Sequence, residues 1–143
     1  MRLISDVCRR VSVLVVEDHP DAADSLAELL DLTGYRVTVA GDGGAALAAA
    51  AADPPDVVLL DLRLPDQDGW AVARQMRARP GDGRRPLIVA VTGLGRADDQ
   101  RRSDAAGVDL HLTKPVDPAD LLAVLGRFAR ALTTCRPPAA CGT

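Results

Sequence analysis

Val57-Val58-Leu59-Leu60-Asp61-Leu62-Arg63-Leu64-Pro65-Asp66-Gln67-Asp68-Gly69 is the stretch on which the fold turns. Its first four residues are apolar without alternation, so a strand made from them buries both faces, as a strand between two layers of helices must. An acidic side chain closes the run, and a loop follows. The same pattern recurs on either side of it, in Val13-Leu14-Val15-Val16 and in Leu87-Ile88-Val89-Ala90-Val91. Two further runs alternate instead, Arg36 and Thr38 against Val37 and Val39, and Asp109 and His111 against Leu110 and Leu112. Alternation suits strands partly open to solvent at the edges of a sheet. Strands are therefore expected at Val11–Val16, Tyr35–Ala40, Val57–Asp61, Leu87–Thr92 and Val108–Thr113.

Segments with helical spacing separate these runs. Asp21 to Thr33 places Ala22, Leu26, Leu29, Leu30 and Thr33 on one face and is closed by Gly34, a common residue just past a helix end. Gly43 to Ala52 is an alanine run of high helix propensity that stops before Asp53-Pro54-Pro55. Gly69 to Arg79 brings Trp70, Val72, Ala73 and Met76, with Trp70 expected to pack. Arg96 to Ala106 is mostly charged residues and alanine, is only weakly amphipathic and is expected to be the most mobile helix, with Gly107 as its cap. Pro118 to about Leu132 turns Leu121, Leu122, Val124, Leu125 and Phe128 to the sheet behind an N-cap at Asp117. A β-α alternation of this kind gives an α/β fold: a flavodoxin-like, doubly wound, five-stranded parallel sheet in the order 2-1-3-4-5 with five helices. Residues 1–10 are expected to be an N-terminal extension, 11–132 the domain and 133–143 a flexible tail, with no output module attached.

Composition narrows the function. The chain has 143 residues, enough to bury roughly 70% of the unfolded surface. Its 16 Arg and single Lys stand against 18 Asp and two Glu, for a net charge of −3. A nucleic-acid binder is usually basic. No stretch approaches the roughly 20 apolar residues of a membrane span, and the N-terminus lacks the apolar core of a signal peptide. A soluble, cytoplasmic chain is expected, with no nucleic acid and no membrane among its partners. Cys8, Cys135 and Cys141 form no paired motif and read as reduced thiols.

In a doubly wound sheet the ligand site lies at the carboxyl ends of the strands, where the winding reverses between the first and third. The first strand here ends in Glu17-Asp18, the third in Asp61, the fourth in Thr92, and the fifth reaches Lys114. Three carboxylates crowded together repel one another, and a divalent cation relieves this. Oxygen ligands from a few carboxylates plus water favour Mg²⁺, which commonly pairs with a phosphoryl group. Lys114 offers a movable point charge able to meet a carboxylate and then a phosphoryl oxygen. Thr92 adds a hydroxyl, and Gly93 beside it lets a backbone N–H approach an anion. A structural ion-pair network of Asp18, Asp61 and Lys114 would account for less, since one Asp and one Lys would suffice for it. His19 reads as a loop residue, given the oxygen preference of Mg²⁺. Asp66 and Asp68 read as loop solvation.

An acidic pair after the first strand, an Asp followed four residues later by Pro65 and eight later by Gly69, then Thr92 and Lys114-Pro115, together resemble the response-regulator receiver domain of two-component signalling. The likeness runs from about Val11 to Leu132. It implies that Asp61 is the phosphoacceptor, served by a histidine kinase or a histidine phosphotransfer protein. It also implies that Mg²⁺ is held by Asp18, Asp61 and the backbone carbonyl of Arg63, with Glu17 acting through water. Thr92 and Lys114 would contact the phosphoryl group, the Lys114-Pro115 bond would be a candidate for cis, and the face of the fourth helix, fifth strand and fifth helix would meet an output protein. The family usually carries Tyr or Phe three residues before the lysine as a switch partner of the threonine, where this chain has His111, either a swinging ring or an edge-strand histidine without a role. Arg63 and Leu94 stand at positions that govern access of hydrolytic water, and both are bulky, which implies slow autodephosphorylation at most rather than enzymatic turnover. An Asp-nucleophile phosphatase of the haloacid-dehalogenase type needs a second Asp two residues after the nucleophile, where Arg63 stands. A pseudo-receiver that binds without being phosphorylated is the remaining alternative.

Overall fold

The computed structural model describes residues 11–78, 86–93, 101 and 104–135, with side chains as far as residue 130. Its elements run β1 (Ser12–Val16), α1 (Pro20–Leu32), β2 (Arg36–Ala40), α2 (Gly43–Ala52), β3 (Val57–Asp61), α3 (Gly69–Ala78), β4 (Leu87–Thr92), a helical segment described at 104–106 (α4), β5 (Leu110–Thr113) and α5 (Pro118–Cys135). All five strands are parallel, in the order β2-β1-β3-β4-β5. The fold is the flavodoxin-like one that the sequence implies.

Each central strand sorts its side chains between two cores, because successive residues point to opposite faces. Leu14, Val16, Val58, Leu60, Ile88 and Ala90 face α2 and α3, meeting Ala46, Trp70, Val72, Ala73 and Met76. Val13, Val15, Val57, Leu59 and Val89 face the other way, meeting Leu30 of α1 with Leu121 and Leu125 of α5. Burying one such Leu or Val contributes about 1.5–3 kcal/mol, which accounts for the unbroken apolar runs Val13–Val16 in β1 and Val57–Leu60 in β3. β2 and β5 are largely exposed or half-buried, as edge strands are. The alanine run of α2 fits its place, since Ala46 is fully buried and its methyl group lets the helix pack close to the sheet.

Several boundaries differ from those the sequence suggests. The first helix starts at Pro20, whose missing N–H costs nothing in a first turn, and it ends at Leu32, with Thr33 as C-cap and Gly34 beyond it at φ 98°. Tyr35 donates its N–H to the Leu30 carbonyl and so belongs to the close of that helix, leaving β2 to begin at Arg36. β5 begins at Leu110, two residues after Val108, which packs into the core instead. The last helix continues past Leu132 through Cys135, so the tail expected from residue 133 is helical for three more residues. No Gly or Pro interrupts the sequence between Gly126 and Pro137. Asp117 caps this helix, accepting the N–H of Ala119 at 2.8 Å. Residues 1–10 and 136–143, the loop Pro80–Gly83, Leu94 and most of Arg96–Ala106 lie outside the described residues. No described helix is long and apolar enough to cross a membrane.

Candidate functional site

Strand register builds the site. Val16 of β1 pairs with Leu60 of β3, so the next residues along, Glu17 and Asp61, stand side by side about 4.8 Å apart in backbone spacing. Asp61 pairs with Val91 of β4, and Thr92 with Thr113 of β5, one residue short of Lys114. Four strand tips separated by nearly the whole chain thus meet at one edge.

The side chains close on one ammonium. Lys114 Nζ donates to Asp61 Oδ2 at 2.9 Å and lies 3.1 Å from Glu17 Oε1. Both carboxylates are buried, with side-chain exposures of 7% and 5%. The second oxygen of Asp61, Oδ1, accepts the backbone N–H of Arg63 at 2.9 Å, and Glu17 Oε2 accepts the N–H of His19 at 3.3 Å. Asp18 completes the cluster from an exposed position, and one carboxylate oxygen from each of Glu17, Asp18 and Asp61 falls within 4.8 Å of the others. Burial raises the proton affinity of Glu17, the Lys114 contact lowers it, and the neighbouring Asp61 raises it, with a net shift upward. Burial alone would pull the Lys114 ammonium down. Hydrogen bonds to Asp61 and then Glu17, with their charges, outweigh it and hold Lys114 above its usual value.

An all-oxygen set of three acidic side chains matches a hard divalent cation, and the excess of negative charge over one ammonium supplies the attraction. These residues fit Mg²⁺. Beside them a cavity of about 500 Å³ opens between α1 and the β5–α5 connection, walled by Ala22, Leu26, Leu59 and Val116 with Glu17, Asp61 and Lys114 at its polar end.

The loop after Asp61 owes its shape to Gly69. A Cβ there would stand 2.7 Å from the Asp61 carbonyl oxygen and 2.7 Å from Leu62 Cα, so only glycine lets α3 start against the end of β3. Gly69 N–H donates to Leu62 O at 3.0 Å, and Arg63 and Asp68 form an antiparallel bridge across the loop.

Of the residues singled out by sequence, Glu17, Asp18, Asp61 and Lys114 come together directly, and Arg63 joins through its peptide N–H. Thr92 lies at the same edge, its carbonyl accepting the Lys114 N–H at 2.8 Å. His111 pairs with Ala90, two residues before Thr92, so His111 and Thr92 are diagonal neighbours on one face of the sheet. The ring is half-buried rather than exposed, and its Nε2 is buried without a hydrogen-bond partner among the described residues. The Lys114-Pro115 peptide is cis. His19 is exposed at the N-cap of α1, and Trp70 is buried at the start of α3.

Asp66 and Asp68 are not mere loop solvation. Asp68 caps α3, accepting the N–H of Ala71 at 2.7 Å. Asp66 accepts the N–H of Gly43 through Oδ1 and of Gly44 through Oδ2, both at 2.9 Å. The Asp68 contact has a local signal, an Asp three residues before a helical N–H. The Asp66 contact spans more than twenty residues and leaves no mark in periodicity.

The order of the sheet and the acidic, cation-competent bowl at its switch point define a flavodoxin-like α/β protein. Comparison with known proteins carries this further. Residues 13–126 match the family model described as the response regulator receiver domain, and the chain belongs to that family. It is 40% identical over 112 residues to the sensory transduction protein RegX3 of Mycolicibacterium smegmatis, covering 78% of this chain and 47% of the relative. It is 32% identical over 122 residues to an uncharacterised 14.6 kDa protein of Leptolyngbya boryana, covering 85% and 92%. Among solved structures, a CheY-like receiver domain from Methanospirillum hungatei superposes with a TM-score of 0.75 at 29% identity, over 85% of this chain and 95% of that one. The chemotaxis protein CheY4 of Vibrio cholerae gives 0.76 at 27% identity, over 83% and 98%. The chain spans about half the length of several curated relatives that it matches.

Proposed function

We propose that Asp61 accepts a phosphoryl group from a phosphohistidine on a histidine kinase or histidine phosphotransfer protein, in a Mg²⁺-dependent step, and that the modified domain signals through a partner on the α4–β5–α5 face. The observation that carries this is the state of the Asp61 carboxylate. It is buried at a strand end, one oxygen is paired with an ammonium and the other with a peptide N–H, and two further carboxylates lie within 4.8 Å.

In the transfer, a carboxylate oxygen of Asp61 bonds to phosphorus in line with the departing imidazole nitrogen. The P–N bond breaks, its electron pair returns to the imidazole, and the product is an aspartyl phosphate. Asp18, Asp61 and the carbonyl of Arg63 would hold Mg²⁺, with Glu17 acting through water. When bound, the ion neutralises charge on the phosphoryl oxygens. Formation of the acyl phosphate removes the Asp61 carboxylate charge and so frees Lys114, whose ammonium follows the charge onto the phosphoryl group. The Thr92 hydroxyl donates to the same group, and its movement would be read by the half-buried His111 ring beside it. The cavity next to Asp61 gives a donor imidazole its approach. Arg63, two residues after the acceptor, is exposed, and its bulk would slow attack by water on the aspartyl phosphate.

Incubation with Mg²⁺ and acetyl phosphate, followed by intact mass, tests the assignment. The wild type is expected to gain one phosphoryl adduct, and Asp61→Asn or excess chelator to abolish it. Equal labelling of Asp61→Asn would mean that the acceptor lies elsewhere. Steady release of phosphate, lost in Asp61→Asn, would favour an enzyme over a signalling acceptor.

A further inference from the structure

The contact between Asp66 and α2 lies outside the acidic cluster, yet it holds the loop that reaches into it. That loop, residues 62–68, leaves β3 at Asp61, turns back through the Arg63–Asp68 bridge and feeds α3. Its root is fixed by Gly69 N–H on Leu62 O. Its outer turn is fixed by something else. The two carboxylate oxygens of Asp66 span the first two N–H groups of α2, at 2.9 Å each. Neither N–H has a partner within its own helix, as is usual in a first turn. Next to it Gln67 lies flat on Gly43, so close that a Cβ at Gly43 would stand 2.7 Å from Gln67 Cγ. Gln75 Nε2 donates to Gln67 Oε1 at 2.8 Å, fixing that side chain from α3.

The loop is thus pinned on both sides of the Arg63 peptide, whose N–H meets Asp61 Oδ1. We propose that Asp66 is a positioning residue for the metal and phosphoryl site, its carboxylate clamping the β3–α3 loop to the N-terminus of α2 so that the Arg63 peptide groups stay aligned on Asp61. This rests on the phosphoacceptor reading above and adds to it a residue that touches neither ion nor phosphoryl group. Because coupling is reciprocal, Mg²⁺ binding tightens the same clamp, and α2 is tied to the state of the site.

A second carboxylate on the same helix separates this role from plain helix capping. Asp42 caps α2, its Oδ1 accepting the N–H of Ala45 at 2.7 Å, a bond that stays within the helix. Titration calorimetry with Mg²⁺ on wild type, Asp66→Ala, Asp66→Asn and Asp42→Ala, each scored beside its thermal midpoint, reads the difference. Both alanine variants lower the midpoint. Asp66→Ala weakens Mg²⁺ binding roughly tenfold, as loss of an outer support does at metal sites. Asp66→Asn, which keeps one acceptor oxygen, falls between, and Asp42→Ala binds as the wild type does. Acetyl phosphate labelling of Asp66→Ala recovers at high Mg²⁺, because the acceptor itself is untouched. Unchanged affinity in folded Asp66→Ala and Asp66→Asn, or equal weakening in Asp42→Ala, overturns the proposal and leaves the Asp61 assignment standing. A wild type that takes neither Mg²⁺ nor a phosphoryl group overturns both.

Discussion

The two ends of the sheet bury polar groups in opposite ways. At the amino end, buried polar groups bond to one another. Asp56 is 8% exposed, and its Oδ2 accepts the Ser12 N–H at 2.9 Å and the Ser12 hydroxyl at 3.3 Å, while Asp56 N–H returns to Ser12 Oγ at 3.0 Å. Close by, Arg77 spreads its guanidinium over the Gly107 carbonyl at 3.0 Å, the Pro86 carbonyl at 2.7 Å and the Asp109 carboxylate. Asp109 in turn accepts the Ile88 N–H at 2.8 Å. At the carboxyl end, the buried carboxylates of Glu17 and Asp61 share the Lys114 ammonium, and the exposed carboxylate of Asp18 lies beside them. Buried polar groups normally find partners, so an end that balances its charges is built for stability. An end that leaves a surplus among the described residues can take a ligand that balances it.

Removing Arg77 should be the most damaging change to the fold and should leave the site alone. Arg77→Ala deprives two carbonyls and a carboxylate of their donor, and the protein should lose about 2–4 kcal/mol in urea unfolding. Mg²⁺ affinity should stay within about twofold of wild type, since the lesion lies at the opposite end of the strands. A variant of unchanged stability would show that the amino end is not held by this fork.

Removing charge at the other end should do the reverse. Glu17 is buried beside Asp61 and its proton affinity is raised, first by burial, against a reference of 4.5. A carboxyl group with a raised folded value favours the native state in its protonated form, so its contribution falls as pH rises above the reference. Glu17→Gln should therefore stabilise the metal-free protein by about 1 kcal/mol at neutral pH, with the gain vanishing in acid. Millimolar Mg²⁺ should reverse the order, because the wild type gains more from binding. A Glu17→Gln variant less stable than the metal-free wild type at neutral pH would mean that the surplus charge is already compensated.

This contrast also marks what can be read from sequence. The central strands announce themselves because burial on both faces leaves no polar residue in Val13–Val16 or Val57–Leu60. The site follows from them, because a parallel sheet places strand ends together and Glu17, Asp61 and Lys114 are simply the residues at those ends. The closed pairs escape notice. Ser12 with Asp56 and Arg77 with Asp109 are separated by 44 and 32 residues and involve residue types common on any surface. Nothing short of the register brings them side by side. Asp66 escapes for the same reason, since its partners are backbone N–H groups, which have no sequence identity at all. The extra turn of α5 shows the lesser error, a boundary drawn where the apolar face ended although the backbone had no reason to stop.

Asp66 belongs to neither pattern, and its titration gives the smallest and most specific expectation. It sits at the carboxyl end, yet its charge is met by peptide N–H groups rather than left over. The hydrogen bonds from Gly43 and then Gly44 hold its carboxyl below the reference value of 3.8. A lowered folded value means stability that is fully present above 3.8 and drains away as pH falls through the folded value. The urea midpoints of wild type and Asp66→Asn should therefore differ by a constant small amount at neutral pH and converge in acid. The group is exposed, so the gap should shrink further in high salt. Asp42→Asn supplies the comparison, since it caps the same helix through one N–H and not two. If the Asp66 gap persisted unchanged well below 3.8, its carboxylate charge would contribute nothing to the clamp, and hydrogen-bond geometry alone would hold the loop to α2.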